Sequence, residues 1–174
     1  MKRIYTQLHL HSSYSLSDST INIDRLIKLA KKNKLKSLAM TDRLNMFAAI
    51  KFYQKCIDNN IKPIIGCEIP LKNSISNKPE GTIIALCQNY IGYKNLIKLL
   101  SEIHIEKKIN ENPNVTKSQL EKYNEGLIIL TGGRKGILGE NLLSDDYHDK
   151  YLIMKSLKDI FPDRLYLQID RINV

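Results

Sequence analysis

The chain has 174 residues, 43% hydrophobic and 26% charged, which excludes a disordered chain and indicates a folded globular domain. Its 27 Lys and Arg against 18 Asp and Glu give a net charge of +9, which suits a partner with phosphates or an acidic surface, although composition bias alone would produce the same value. No stretch approaches the roughly 20 apolar residues of a membrane span, no signal peptide is evident and three scattered cysteines form no disulfide framework, so a cytoplasmic protein is expected.

Strand and helix signals alternate along the chain. The clearest helix follows Asn22, a favourable N-cap, and the spacing of Ile23, Leu26, Ile27 and Ala30 gives it one apolar face. The patterns predict strands over residues 4–10, 37–40, 61–69, 82–87, 127–131 and 165–169, with a loop at 72–81 and a glycine turn at 132–133. They predict helices from residue 23 to the lysines at 31–34 and over residues 45–58, 90–107, 117–123, 138–143 and 147–160.

The predicted strands are almost entirely apolar, which is typical of a parallel sheet covered by helices. The expected fold class is therefore α/β, and an open doubly wound sheet and a β/α barrel both satisfy the pattern. The apolar faces expected for the second and third helices are Met46, Ala49, Ile50 and Tyr53, and Leu96, Ile97, Leu100 and Ile103.

Polar residues follow several predicted strand ends, where α/β folds place their sites. His9 and His11 stand two apart on a predicted strand, so their imidazoles can share one metal ion, with Asp18 shortly after them. A pair of hydrogen-bonded surface histidines is the alternative. Asp42 closes the next strand and is either a ligand or the cap of the following helix.

Two later places carry the same ambiguity. Glu68 ends an apolar strand, where a glutamate is costly unless it is paired or faces a cleft. Gly132 and Gly133 permit a tight turn, after which Arg134 either holds an anion or is simply exposed. The sequence contains no phosphate loop, Rossmann fingerprint or nucleophile elbow.

Residues 8–18, which read LHLHSSYSLSD, resemble the opening motif of the PHP (polymerase and histidinol phosphatase) family. The form with Ser-x-Tyr-Ser is similar to the branch found in bacterial replicative DNA polymerases. Further agreement with that branch lies, in order, at residues 38–42 with Asn45, and at 51–53, 61–68, 124–134 and 161–167. The resemblance implies a distorted seven-stranded β/α barrel, with residues 1–174 as one PHP domain that is expected to be cut off before its last strands.

Intact members of this family bind a metal cluster at the carboxyl ends of the strands, and the resemblance extends to part of the ligand set. The matching positions are His9, His11, Asp18 and Glu68. Asp42 is retained as a further vestigial candidate on the strength of its place after a strand.

Other ligand positions depart from the family pattern. Arg43 stands where metal-binding members have His, and Gly133 where they have Cys or a similar ligand. The segment after residue 167 would carry Glu and His, and this chain has Gln168 and Arg171 instead. Because an arginine cannot ligate a metal and repels one, these departures are typical of the degenerate, structural branch.

The resemblance therefore implies a structural module without catalytic residues that docks the proofreading exonuclease subunit of a replicase. Other replicase subunits and DNA would be contacted mainly through the rest of the polymerase, which uses Mg²⁺, and no tightly bound cofactor is expected here. The alternatives are a metal-dependent phosphoesterase, acting as an exonuclease or pyrophosphatase, and a free-standing histidinol-phosphatase-like enzyme. Ligand count separates them, because a multi-metal site needs more ligands than remain.

Overall fold

The computed structural model describes residues 6–72, 79–107, 109, 112–139 and 147–170. Strands and helices alternate through these parts of the chain. The strands are β1 (Ser37–Met40), β2 (Lys62–Lys72), β3 (Pro79–Cys87), β4 (Leu127–Leu130) and β5 (Leu165–Tyr166). The helices are α1 (Ile23–Lys32), α2 (Ala49–Asp58), α3 (Tyr90–Glu106), α4 (Lys117–Tyr123) and α5 (Tyr147–Ile160), and a 3-10 turn covers Gly133–Lys135.

The strands follow the order β1-β2-β3-β4-β5, and the described strands form an open sheet, as an incomplete barrel would. β1 pairs with β2 in parallel, and β4 pairs with β5 in parallel. β3 and β4 are antiparallel, so the expectation of a purely parallel sheet was wrong. The fold class is α/β, as predicted.

The chain divides within β2 into two compact units, Met1–Cys67 and Glu68–Val174. In the first unit, α1 agrees with its prediction. The side chain of Asn22 accepts a hydrogen bond from the Asp24 amide at 2.9 Å, which satisfies a free donor of the first turn. All four predicted apolar residues of α1 are buried, and they pack in one cluster with Leu38, Met40, Phe52 and Cys56.

Helix α2 is shorter than predicted and turns a different face to the core. It begins at Ala49, and its buried residues are Ala49, Phe52 and Cys56. Ile50 and Tyr53, expected on the apolar face, are 68% and 51% exposed. Both sets have helical spacing, so packing against α1, not periodicity, selects the buried face.

The predicted first strand is reduced to separate contacts. Residues 4 and 5 lie outside the described part, and Gln7 forms an isolated parallel bridge with Leu38. The Thr41 amide donates to the Leu10 carbonyl at 2.9 Å, so the segment still lies along β1. Between these contacts the Gln7 side chain donates to the His9 carbonyl at 2.7 Å, and such local bonds compete with a regular ladder.

In the second unit, α3 and α4 form close to their predicted bounds. Thr116 and Gln119 make a reciprocal capping box that begins α4. Leu96, Leu100 and Ile103 of α3 are buried as expected, whereas Ile97 is 40% exposed. Leu99 takes its place in the core, since it lies on the same helical face as Leu96 and Ile103.

Two other boundaries were predicted wrongly, and one prediction lies mostly outside the described residues. The loop expected at 72–81 is narrower, because β2 extends to Lys72 and β3 begins at Pro79; residues 73–78 lie outside the described part. Of the helix expected at 138–143, residues 138–139 form a turn, and residues 140–143 lie outside the described part. The last strand ends at Tyr166. Among the described residues, no helix has the length and apolar content that crossing a bilayer demands.

Candidate functional site

A buried carboxylate organises the serine-rich loop after the histidines. Asp42 follows β1 and is 1% exposed. Its Oδ1 accepts hydrogen bonds from the Ser12 amide at 2.6 Å and the Ser15 hydroxyl at 2.7 Å. Its Oδ2 accepts from the Ser12 hydroxyl at 2.7 Å. These three donors offset the cost of burying the charge, so Asp42 holds the loop closed.

The serines were not identified from the sequence as hydrogen-bond partners of Asp42. Asp42 does not cap α2, whose N-cap is Ala48. Ser12 and Ser15 are themselves buried, and only their spacing within the motif hinted that they could serve as donors. The next residue joins the same arrangement, because the Arg43 amide donates to the Ser15 hydroxyl at 3.0 Å.

The Arg43 guanidinium lies beside the carboxylate of Asp18. Nη1 of Arg43 is 3.7 Å from Oδ2 of Asp18, and the two side chains are 40% and 31% exposed. At this exposure the pair contributes no more than about 1 kcal/mol to folding. Its chemical effect is larger, since the positive charge balances the Asp18 carboxylate and opposes the approach of a second cation.

The two histidines come together as predicted, although not on a regular strand. Their ring centroids are 5.2 Å apart with an interplanar angle of 67°. The Ser19 hydroxyl donates to the His11 carbonyl at 2.8 Å and fixes the backbone there. An open cleft of about 450 Å³ is lined by Gln7, His9, Leu10, His11, Asp18, Ser19 and Ile21.

Three of the predicted ligand residues form a group that fits one metal ion. His9, His11 and Glu68 each offer one ligand atom, and these atoms lie within 4.8 Å of one another. Glu68, the residue after Cys67 on β2, is 4% exposed. Two imidazoles and a carboxylate are a donor set of catalytic zinc sites. Among the described residues, Asp18 and Asp42 are not members of this group.

The carboxylate of Asp170 lies against the glycine turn of the second unit. Gly132 and Gly133 have φ of 79° and 64°, in the left-handed region. The Arg134 amide donates to Oδ2 of Asp170 at 3.2 Å, while the Arg134 side chain is exposed. A Cβ atom on Gly133 would overlap that same oxygen, so a ligand side chain here would have to displace Asp170. Arg171 lies outside the described residues.

Among the described residues, none of the three cysteines is a member of the group that fits a metal ion. Burial raises the pKa of the Cys56 thiol to about 11 and that of Cys87 to about 12, so both are protonated and unreactive at neutral pH. The Cys67 thiol is buried and donates to the Asp42 carbonyl at 3.1 Å. The Cys67 side chain therefore packs against the backbone of Asp42.

The fold resembles that of a solved structure from Bifidobacterium adolescentis, whose protein is named as a proposed metal-dependent phosphoesterase. The TM-score is 0.62, with 12% sequence identity over 94% of this chain and 76% of that one, and this likeness concerns the fold alone.

Curated relatives from three bacteria are named DNA polymerase III subunit alpha. The Borreliella burgdorferi protein is 35% identical over 96% of this chain. The Pseudomonas fluorescens protein is 32% identical over 99% of the chain, and the Aquifex aeolicus protein is 34% identical over 100% of it. The chain spans only 15–16% of the length of these relatives. Residues 7–172 match the family described as PHP domain, and the chain therefore belongs to the PHP domain family.

Proposed function

We propose that residues 1–174 act as one PHP domain, the N-terminal module of a bacterial replicative DNA polymerase alpha subunit. In this role the domain is structural, and the polymerase reaction, with its Mg²⁺, belongs to other parts of that subunit. The similarity to three alpha subunits supports the assignment to DNA replication.

The observation that carries the structural role is the contact between Arg43 and Asp18. A family ligand position is taken by a residue that brings its own positive charge to within 3.7 Å of a second ligand position. At Gly133 the side chain of the family ligand is missing, and the Asp170 carboxylate occupies the space. Both features work against a multi-metal cluster, which needs carboxylates and imidazoles free to share cations.

Metal analysis tests this proposal. After dialysis against metal-free buffer, elemental analysis of the purified chain is expected to find no stoichiometric Zn or Mn. A variant with His9→Ala and His11→Ala serves as the control for ions held elsewhere on the surface. Two or more tightly bound ions per chain, lost in the control variant, would contradict the structural role.

We further propose that the domain docks the proofreading exonuclease subunit of the replicase. Removing residues 1–174 from the alpha subunit is expected to abolish co-purification with the exonuclease while the polymerase region still extends a primer. Retained polymerase activity shows that the shortened subunit is folded. Exonuclease binding that survives the deletion at full strength would refute this partner.

A single-metal phosphoesterase is the second candidate, favoured by the group of His9, His11 and Glu68 within 4.8 Å. One divalent ion there would polarise a phosphoryl oxygen and lower the pKa of a bound water. Hydrolysis of bis-p-nitrophenyl phosphate with added Zn²⁺ or Mn²⁺ separates the two candidates. Turnover that disappears in a Glu68→Gln variant would favour the phosphoesterase, and turnover equal in both proteins would favour the structural role.

A further inference from the structure

The positive charge of the chain is concentrated in the first unit. Residues 1–67 contain 12 Lys and Arg against 4 Asp and Glu, whereas the remaining residues contain 15 against 14. Residues 25–41 include six basic residues and no acidic one. The excess is therefore local, and a uniform bias in composition does not explain it.

These lysines converge at the amino ends of β1 and β2. The Lys62 amide donates to the Lys36 carbonyl at 2.8 Å, which joins the residues at the two strand starts. The Lys31 ammonium donates to Asn59 at 3.0 Å and ties the end of α1 to the end of α2. We call this region the amino-edge patch; its members are Lys31, Lys32, Lys34, Lys36 and Lys62, all exposed.

Ordinary structural roles account for only part of the patch. Lys31 and Lys32 lie in the last turn of α1 and offset its dipole. Lys34, Lys36 and Lys62 lie beyond the helix ends, and within the described part of the chain their side chains make no hydrogen bond or ion pair. The segments 31–36 and 58–62 carry one carboxylate, Asp58.

The chemistry of the patch fits a polyanion. Among residues 31–36 and 58–62 no large apolar side chain is exposed, whereas Leu29 and Ile57, which are 55% and 51% exposed, lie at the border of the patch. A protein interface has its apolar residues at the centre and its charges at the rim, and this patch has lysines at its centre. Several lysines with free ammonium groups suit phosphates, which bind without base reading. Asp42 and the serine loop that it holds lie past the opposite, carboxyl end of β1, after Met40, so the patch is separate from them.

We propose that the amino-edge patch binds the phosphate backbone of duplex DNA without sequence preference. This goes beyond the structural and docking role, and it does not depend on the metal content of the domain. Lys34, Lys36 and Lys62, which have no side-chain partner among the described residues, supply the contacts that release counterions, so binding weakens steeply with salt.

The test compares two triple variants of the purified chain by fluorescence anisotropy with a labelled 20-base-pair duplex. The patch variant carries Lys34→Asn, Lys36→Gln and Lys62→Gln; Asn is used because Lys34 has φ of 57°. The control carries Lys98→Gln, Lys107→Gln and Lys135→Gln, three exposed lysines of the second unit, and has the same net charge. Circular dichroism melting confirms that both variants are folded.

The patch variant is expected to lose about tenfold in affinity at low salt, and the slope of log K against log salt should fall by about 0.9 for each lost phosphate contact. The control variant should bind within twofold of the original chain. Equal losses in both variants, or no binding by the original chain, would overturn the proposal. Tighter binding of polyglutamate than of the duplex would overturn it in favour of an acidic protein partner.

Discussion

Two loops of this molecule are closed in opposite ways. In the first unit, the serine loop after His11 is held by the buried Asp42 carboxylate and its three hydrogen bonds. In the second unit, the turn before β4 is held by direct backbone contact with α3 at Gly92. The first closure uses a residue that looks functional in the sequence, and the second uses one that looks incidental. A polar residue at a strand end is thus evidence of chemistry only after its internal partners have been identified.

The second closure depends on the absence of a side chain. Asn89 caps α3 by accepting from the Gly92 amide at 3.0 Å, and the Gln88 amide donates to the Gly126 carbonyl at 2.8 Å. A Cβ atom on Gly92 would overlap that carbonyl. Gly126 itself has φ of 72°, which favours glycine.

Removing the carboxylate of the first loop should have the largest effect. We expect Asp42→Ala to lower the free energy of unfolding by about 3–4 kcal/mol, because it leaves one buried amide and two buried hydroxyls without their charged acceptor. Urea denaturation followed by circular dichroism measures the change.

A double-mutant cycle shows whether the loss comes from the loop. Ser15→Ala alone should cost about 1–2 kcal/mol, since it removes one donor to a charged acceptor. In the Asp42→Ala background it should cost clearly less, because only the hydrogen bond from the Arg43 amide to the Ser15 hydroxyl remains to be lost. Additive effects would mean that Asp42 stabilises the fold through other contacts, and the contrast between the two loops would fail.

Crowding the second loop should have an intermediate effect. Gly92→Ala is expected to cost about 1–3 kcal/mol, because the added methyl group must separate α3 from the turn at Gly126. Ser101→Ala, an exposed change on the same helix, is the matched control and should stay within about 0.5 kcal/mol. Thermal unfolding of the three proteins gives the comparison. A stable Gly92→Ala protein would show that this closure tolerates a side chain.

The half-buried carboxylate of Glu102 should have the smallest effect, which sharpens the contrast with the fully buried Asp42. Hydrogen bonds from Lys122 and Tyr123 lower the pKa of Glu102 below its usual 4.5. A lowered folded-state pKa means that the stabilisation is present above about pH 4.5 and is lost as the pH falls through the lowered value. Glu102→Gln should therefore be slightly less stable than the original chain at pH 7 and equal to it at pH 2. A stability difference that does not change with pH would exclude this electrostatic origin.

Local signals in the sequence were sufficient for several elements. The Asn22 cap and the apolar spacing after it predicted α1 with its four buried residues, and α4 was predicted at its observed bounds. Capping and periodicity act within one or two helical turns, so they can be read without tertiary information. The pairing of His9 with His11 is likewise local, because the two residues are adjacent on one short segment.

Long-range packing decided the rest. Helix α2 has two faces with helical spacing, and only the contact with α1 determines that Phe52 is buried and Tyr53 exposed. The sequence places Asp42 and Arg43 after a strand. It does not show that serine hydroxyls donate hydrogen bonds to Asp42, or that Asp18 pairs with Arg43. These contacts join residues about 25 to 30 positions apart, and whether a polar group is a ligand, an anchor or a counter-ion depends on which partner the folded chain brings to it.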